Sequence, residues 1–348
     1  MNRLGSTLLV GLGPLLLGAL AACGGNEPPA QPPPPTTATA MPEPPPPPTA
    51  SAAPAASEAP AAPAAPAKPT PALSLHDQGF NTPESVLYDA KNDVYLVSNI
   101  NGSPTATDNN GYISRVAPDG SKVEAKWIEA GKNGVKLDAP KGSAIVNGTL
   151  YVADITRLRT FDADSGKPKA DIALPGCTFA NDVTSGPDGK VYVSDTGIKF
   201  DDKGNPAPTK SDAVYVVDKG KAKTLAKGED LGHPNGVLWS GDKADGKLWV
   251  VTFGTGEVYS LDKAGKKADA QKLPKGMLDG IVALGDASAS YLVSSWEASG
   301  VFHGKPGSDW TLALTDLKAP ADIGYDTKRG RVLVPLFMDS AVEAYTIP

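Results

Sequence analysis

The chain has 348 residues, and its 33 Lys and Arg against 39 Asp and Glu give a formal net charge of −6. This balance argues against a nucleic-acid partner, because no basic stripe is present to neutralise phosphates. The chain has only two cysteines, Cys23 and Cys177, so the sequence predicts no disulfide framework.

The first residues predict a secretory signal. Arg3 precedes an apolar run that continues to Leu20, and small residues then lead to Cys23. The ending Leu20-Ala-Ala-Cys23 resembles the lipobox of bacterial lipoproteins, in which the cysteine is lipidated and becomes the mature N-terminus. We therefore expect a lipoprotein signal peptide over residues 1–22 and lipidation at Cys23. An ordinary signal cleaved near Ala22 and an uncleaved anchor helix are the alternatives.

A tether is predicted over residues 23–72, where 18 of the 34 prolines are mixed with Ala, Thr and Ser. Such a segment cannot bury a core and should be extended. No second hydrophobic segment of spanning length follows, so we expect contact with the membrane through the N-terminal lipid only. The expected location is the bacterial cell envelope, facing either the periplasm or the surface.

Residues 73–348 contain six similar segments, 40 to 57 residues apart. Each segment has a polar opening, a turn and an apolar strand such as Val191-Tyr-Val-Ser194, and a fourth strand is the faintest part of each unit. Repeats of this length with about four strands predict an all-β fold, a six-bladed β-propeller. The last repeat contains three strands, so we expect a strand from about residues 72–80 to complete it and close the ring.

The innermost strand of each blade lines the central channel of a propeller, so the residues that open these strands should converge at its mouth. The six predicted opening residues are Glu84, Lys141, Asn181, Asn235, Asp279 and Asp322. The ends of the second strands should return to the same rim, adding Asn99, Asp154, Asp195, Thr252 and Ser295.

Three carboxylates and two amide oxygens in a narrow channel repel one another or bind a cation. Oxygen ligands of this kind suit Ca²⁺, Mg²⁺ or Mn²⁺. The alternative is that the Asp and Asn side chains cap the backbone or hold an ordered water.

The set formed by Glu84, Asn181-Asp182, Asn235-Gly236 and Asp279-Gly280 resembles the senescence-marker-protein/gluconolactonase/luciferin-regenerating-enzyme (SGL) family of six-bladed propellers. The resemblance implies that Glu84, Asn235 and Asp279 hold a divalent metal and that Asn181 contacts substrate or completes the metal shell. It also implies that Asp279 is the catalytic general base in lactone hydrolysis. Ca²⁺ is the favoured ion, with Zn²⁺, Mg²⁺ and Mn²⁺ as alternatives.

Two positions depart from the family pattern. Phe179 stands where the gluconolactonase branch has an arginine, which argues against a polyhydroxylated sugar lactone. Lys141 could bind an anionic substrate group, stabilise an oxyanion, neutralise Glu84 or Asp322, or replace the cation. Trp296-Glu297 should overhang the mouth, whereas His233 is interpreted as a loop residue.

Two functions are consistent with these features. The favoured one is a metal-dependent hydrolase, lactonase- or esterase-like, acting on a small lactone or ester. The alternative is a non-catalytic propeller that binds a ligand or a protein and is displayed on the cell envelope.

Overall fold

The computed structural model describes residues 69–201, 205–241, 246–285 and 289–347, all within one unit, Ala64–Pro348. Beside the strands there are two single-turn 3-10 helices, η1 (Pro187–Gly189) and η2 (Glu229–Leu231). The first thirteen strands are β1 (Leu73–Leu75), β2 (Pro83–Asp89), β3 (Val94–Asn99), β4 (Tyr112–Val116), β5 (Val123–Glu129), β6 (Pro140–Val146), β7 (Thr149–Asp154), β8 (Arg157–Asp162), β9 (Ile172–Ala173), β10 (Ala180–Ser185), β11 (Val191–Asp195), β12 (Ile198–Phe200) and β13 (Pro206–Pro208). The next thirteen are β14 (Ala213–Asp218), β15 (Lys221–Lys227), β16 (Pro234–Ser240), β17 (Lys247–Thr252), β18 (Glu257–Leu261), β19 (Lys267–Lys272), β20 (Leu278–Ala283), β21 (Tyr291–Ser295), β22 (Gly300–Gly304), β23 (Thr311–Leu314), β24 (Gly324–Asp326), β25 (Arg331–Leu336) and β26 (Ala341–Thr346).

Six antiparallel sheets of four strands form the blades. From the channel outward their orders are β2-β3-β4-β5, β6-β7-β8-β9, β10-β11-β14-β15, β16-β17-β18-β19, β20-β21-β22-β23 and β24-β25-β26-β1. The first strand of each sheet contacts the first strand of the next, and β24 contacts β2, so the sheets close into a ring. The predicted all-β, six-bladed β-propeller is confirmed.

The N-terminal strand closes the sixth blade, as predicted. β1 pairs antiparallel with β26, with Leu73 opposite Ala344. Leu75 and Phe80 then pack in the apolar cluster that joins the sixth blade to the first, together with Val97 and Leu333. The beginning of the folded region therefore holds its end in place.

Among the described residues the core comprises seven apolar clusters, and six of them lie between two adjacent blades. The second strands have blades against both faces, which explains why β11 is buried along its whole length and has an apolar sequence. The outer strands face solvent at the sheet edge. β15, with Lys at three of its seven positions, is mostly exposed, and this explains why fourth strands were faint in the sequence.

A bulge shapes the start of the inner strand in five blades. In β20, for example, Leu278 pairs with Ser295 and Ile281 pairs with Val293, which leaves Asp279 and Gly280 out of register. The same shift occurs in β2, β6, β10 and β16. A Cβ on Gly280 would lie 2.4 Å from the Ile323 nitrogen of the next blade, so this close approach requires glycine at position 280.

One element was not predicted. A two-stranded hairpin, β12 and β13, is inserted between β11 and β14 of the third blade and pairs Ile198 with Pro208. Thr209 N donates to Gly197 O at 2.8 Å and closes its base. The hairpin places Phe200 beside the channel mouth, where its ring packs 6.3 Å from that of Phe179.

The predicted signal peptide over residues 1–22, the predicted lipidation site Cys23 and most of the predicted tether over residues 23–72 lie outside the described residues. Within the ranges that are described, no helix has the length and apolar character needed to cross a membrane.

Candidate metal centre

Polar residues at the ends of the second strands hydrogen-bond to the loops that enter the inner strands and hold these loops in place. Asp195 accepts hydrogen bonds from the backbone nitrogens of Thr178, Phe179 and Gly197. Asn99 Oδ1 accepts from Asn81 N at 3.0 Å, on the loop that leads to Glu84. These residues were predicted to lie around the rim, but they are buried and bonded to the backbone. They position the opening residues rather than presenting groups to a ligand.

Five of the six predicted opening residues converge on one cleft of about 270 Å³ at the channel mouth: Glu84, Lys141, Asn181, Asn235 and Asp279. They form its polar floor, together with Thr196. The walls consist of ten apolar residues: Ile100, Pro104, Phe179, Ile198, Phe200, Pro206, Phe253, Met277, Trp296 and Phe337.

The sixth predicted opening residue, Asp322, does not line this cleft. In the sixth blade Pro320 pairs with Leu336, which places Ala321 at the opening position and Asp322 one residue further along the channel. Asp322 is therefore the counterpart of Gly280 and Asp182, and the prediction was wrong by one residue. Asp322 Oδ2 accepts a hydrogen bond from Ser85 Oγ, and Asp182 Oδ2 accepts one from Val237 N at 2.7 Å.

Three buried oxygens on the floor have no hydrogen-bond partner: Glu84 Oε2, Asn235 Oδ1 and Asp279 Oδ1. Their residues are 6%, 3% and 3% exposed. Because leaving a buried acceptor unpaired costs about 1–3 kcal/mol, three at one place make this floor a candidate site for a cation. Two carboxylates and one amide oxygen are ligands that fit a hard divalent cation. No group of three or more His, Cys, Asp or Glu side chains in the described ranges could hold a metal, so a cation at this place would need the amide oxygen of Asn235 as a ligand.

Asp279 is held in place by the cleft wall. Trp296 Nε1 donates to Asp279 Oδ2 at 2.7 Å, which leaves Oδ1 as the unpartnered oxygen. The prediction that Trp296 forms part of the mouth is confirmed, but its bond to a proposed ligand was not foreseen. Glu297 does not line the cleft; it accepts a hydrogen bond from Gly276 N on the loop before Asp279.

Burial and mutual repulsion hold protons on the channel carboxyls. Burial, and then the charge of Asp322, raises the pKa of Asp279 to about 8, although the Trp296 indole and the Asn235 amide lower it. Burial raises the pKa of Asp322 to about 7. The pKa of Glu84 also rises well above its usual value through burial and the charges of Asp279 and Asp322, while Lys141 opposes that rise.

These pKa shifts predict that the unfolding free energy of the metal-free protein depends on pH. Between the ordinary aspartate value of 3.8 and about 8, the folded protein keeps protons on Asp279 and Asp322 that the unfolded chain has lost. Their contribution to stability is therefore present below about pH 4 and is lost as the pH rises. We expect the unfolding free energy to fall by several kcal/mol between pH 5 and pH 8, at about 1.4 kcal/mol per pKa unit.

Urea titrations in a chelator at the two pH values measure this slope. Asp322→Asn serves as the matched variant and should flatten it. Equal unfolding free energies of the parent protein at pH 5 and pH 8 would contradict the prediction.

Lys141 is 1% exposed, and its ammonium is bound by the protein itself. Nζ donates to Pro104 O at 3.1 Å and to Ala139 O at 3.0 Å, and it lies 4.4 Å from the centre of the Phe179 ring. Burial lowers the pKa of Lys141, while Glu84 raises it. Its charge thus partly offsets Glu84, and the predicted substrate contact stays a prediction.

Asn181 is also fixed by the floor of the cleft. Its Nδ2 donates to Thr196 Oγ1 at 2.9 Å, and that hydroxyl donates to Pro234 O at 2.9 Å, next to Asn235. His233 lies outside the cleft lining; its backbone nitrogen donates to Asp212 Oδ2 at 2.7 Å. Asn181 therefore stays a candidate contact for substrate, and His233 is a loop residue.

The fold and the site together define a class: a six-bladed propeller with unpaired oxygen ligands at the channel mouth. Comparison with protein families matches residues 82–245 to the SMP-30/Gluconolactonase/LRE-like region. The chain is therefore similar to this family over that range, which lies within the propeller. No curated protein sequence matches the chain.

Solved structures share the fold at low sequence identity. A gluconolactonase from Xanthomonas campestris has a TM-score of 0.60 and 18% identity, with 81% of this chain and 94% of that chain covered. A calcium-binding protein, regucalcin, from Agrobacterium tumefaciens has a TM-score of 0.54 and 15% identity, with 80% and 94% covered. Virginiamycin B lyase from Staphylococcus aureus has a TM-score of 0.53 and 15% identity, with 79% and 99% covered. At these identities the likeness shows the fold alone.

Proposed function

We propose that this protein is a metal-dependent hydrolase of the lactonase or esterase type, with a divalent cation bound by Glu84, Asn235 and Asp279. The observation that supports this most strongly is the set of three buried oxygens without partners, one on each of these residues. Ca²⁺ is the first candidate, because carboxylate and carbonyl oxygens are its usual ligands and it accepts irregular shells. The family match over residues 82–245 supports the same class of reaction.

A cation at this position would polarise the substrate carbonyl and lower the pKa of water. The side chains of the cleft would move the proton, orient the substrate and exclude water. Asp279, held through Oδ2 by Trp296, would take a proton from the attacking water. Asn181, fixed by Thr196, would orient the substrate. The apolar walls would keep bulk water away from the reacting group.

The location is part of the proposal. A lipid on Cys23 and the proline-rich tether over residues 23–72 would attach the propeller to the bacterial envelope, where its substrate would be a small lactone or ester. The cleft walls are also suited to a ligand that is bound without reaction, so the test must separate binding from turnover.

The test is hydrolysis of a panel of lactones and aryl esters by the purified protein, measured before chelation, after chelation and after a divalent ion is restored. We expect turnover that is lost on chelation and returns with Ca²⁺ or another divalent ion. Turnover that is unaffected by complete removal of metal would overturn the metal dependence. Binding of panel members without turnover in any metal form would favour the non-catalytic alternative.

A further inference from the structure

The walls of the cleft differ in chemistry from its floor, and this difference bears on what the protein binds. The polar side chains all lie at the floor, and ten apolar residues surround them. Four of the seven phenylalanines of the chain are wall residues. Only 6% of the residues of the chain are aromatic, so the cleft is strongly enriched in aromatic side chains.

One wall is an aromatic arc. The rings of Phe253 and Trp296 lie 6.0 Å apart at 80°, and those of Trp296 and Phe337 lie 5.3 Å apart at 48°. These distances are typical of rings in direct contact, so the arc is continuous. Trp296 is central to it and also holds Asp279, which places the arc directly beside the proposed reacting group.

The opposite wall is the inserted hairpin with Phe179. Phe200 of β12 packs against Phe179, and Ile198 and Pro206 complete this side. The Phe179 ring lies over the Lys141 ammonium, so one face of the ring is already in contact with a charged group of the protein. Among the described residues of the hairpin, which exclude 202–204, those that line the cleft are therefore apolar.

Few hydrogen-bonding groups remain for a polar ligand above the floor. The Trp296 N–H donates to Asp279, and the Thr196 hydroxyl accepts from Asn181 and donates to Pro234 O. The hydroxyl groups of a sugar would lose water against these walls without gaining partners, which disfavours binding. An apolar group would gain from the same burial.

We propose that the cleft selects a lactone or ester that carries an uncharged apolar side chain, with its carbonyl group at the floor and the side chain between the hairpin and the aromatic arc. The part of this inference that concerns the reacting carbonyl rests on the proposed function. The part that concerns the apolar substituent of the ligand rests on the cleft walls alone. The cleft volume of about 270 Å³ lies near the small end of ligand sites, so the side chain is short: one aromatic ring or a medium alkyl chain.

The experiment compares γ-lactones that differ only in alkyl chain length, with glucono-δ-lactone as the polyhydroxylated member. The full-length protein is used, and kcat/KM is measured for each lactone. Binding of the γ-lactams with the same chains is measured by calorimetry, because lactams report binding without turnover. We expect both kcat/KM and lactam affinity to rise about threefold to fourfold per methylene until the cleft is full. Glucono-δ-lactone should be the poorest substrate.

Two wall variants locate the effect. Phe200→Ala and Phe337→Ala, on opposite walls, should each weaken binding of the longest lactam about tenfold or more and weaken binding of the unsubstituted lactam much less. Phe200→Leu should restore most of the loss. Leu312→Ala, an exposed apolar residue outside the cleft, is the control and should change nothing.

The outcomes separate this inference from the proposed function. Turnover that does not depend on chain length, or that is fastest with glucono-δ-lactone, would overturn the apolar side chain while the hydrolase stands. Chain-length-dependent lactam binding without turnover of any lactone would uphold the ligand class and overturn the hydrolase. If lactam affinity rose with chain length as steeply in both wall variants as in the parent protein, the apolar site would lie elsewhere and the inference would be overturned.

Discussion

Replacing Asp279 with asparagine should lower kcat/KM for lactone hydrolysis by about 10³-fold or more while the protein remains folded. The substitution keeps the size of the side chain and removes the carboxylate that would both bind the cation and accept the proton. A positioned general base alone contributes about 10² to 10⁴ in rate. Steady-state kinetics with the best lactone of the panel measures the loss, and Asp77→Asn, at an exposed turn, is the matched control.

The fold should not suffer from this change. Asp279 is buried among carboxyls, and burial and the charge of Asp322 raise its pKa to about 8, so removing its charge relieves repulsion in the metal-free protein. We therefore expect the thermal midpoint of Asp279→Asn in chelator to equal or exceed that of the parent protein at pH 8. Full activity in a folded Asp279→Asn variant would exclude Asp279 as the base and as an essential ligand.

The second large effect is expected at Asp154, which is a structural residue. Its carboxylate accepts from Ala139 N at 2.8 Å and from Asp138 N at 3.1 Å, and its Oδ2 lies 2.6 Å from Arg159 Nε. The Asp154 side chain is fully buried, and that of Arg159 is 8% exposed. Asp154→Ala would leave a buried guanidinium and two backbone donors without this partner.

We expect Asp154→Ala to lower the unfolding free energy by about 3–5 kcal/mol, as is typical when one member of a buried ion pair is removed. Urea denaturation followed by tryptophan fluorescence measures the change. Asp164→Ala, which removes an exposed partner of Lys91, is the control and should leave the midpoint unchanged. A loss as small as that of the control would show that Arg159 is stabilised by Asp138 and Asp171 alone.

Asp154 also illustrates what the sequence could predict and what it could not. Its place at the end of a second strand follows from the repeat, because each second strand is an apolar run with a polar end. The role of Asp154 in holding a loop does not follow from the repeat. The backbone nitrogens that donate to Asp154 lie on the loop before Lys141, and backbone groups leave no pattern in the sequence. The predicted rim residues Asn99, Asp154 and Asp195 therefore hold the loops that enter the inner strands.

The error at Asp322 has a similar origin. The residues Pro320-Ala-Asp-Ile-Gly324 can be aligned with the other blades in two registers, and a polar residue at the opening position favoured the wrong one. The correct register depends on the pairing of Pro320 with Leu336 and on the approach of Asp322 to Gly280, which are contacts between strands far apart in the chain. A pattern of single residues does not encode them.

The convergence of Glu84, Asn235 and Asp279 at the channel mouth was predictable because each opens an inner strand and is followed two residues later by an apolar residue of that strand. Their role as metal ligands came from the family resemblance alone and stays a prediction. Trp296 and the hairpin were harder to predict. The hydrogen bond from Trp296 to Asp279 joins the loop after β21 to the start of β20, and β12 is too short for its pattern to stand out. The composition of the walls therefore became visible only in the three-dimensional arrangement, although Phe179 had already argued against a sugar lactone.

The central claim is that Glu84, Asn235 and Asp279 bind one divalent cation, and equilibrium dialysis against Ca²⁺ with metal analysis tests it most directly. The parent protein should bind one ion per chain at this site, and Glu84→Gln, which removes one charged ligand, should bind it at least about a hundredfold more weakly. Ion binding of equal strength in both proteins would place the cation elsewhere. No bound ion in the parent protein, with Ca²⁺ and then with Zn²⁺, Mg²⁺ or Mn²⁺, would contradict the claim.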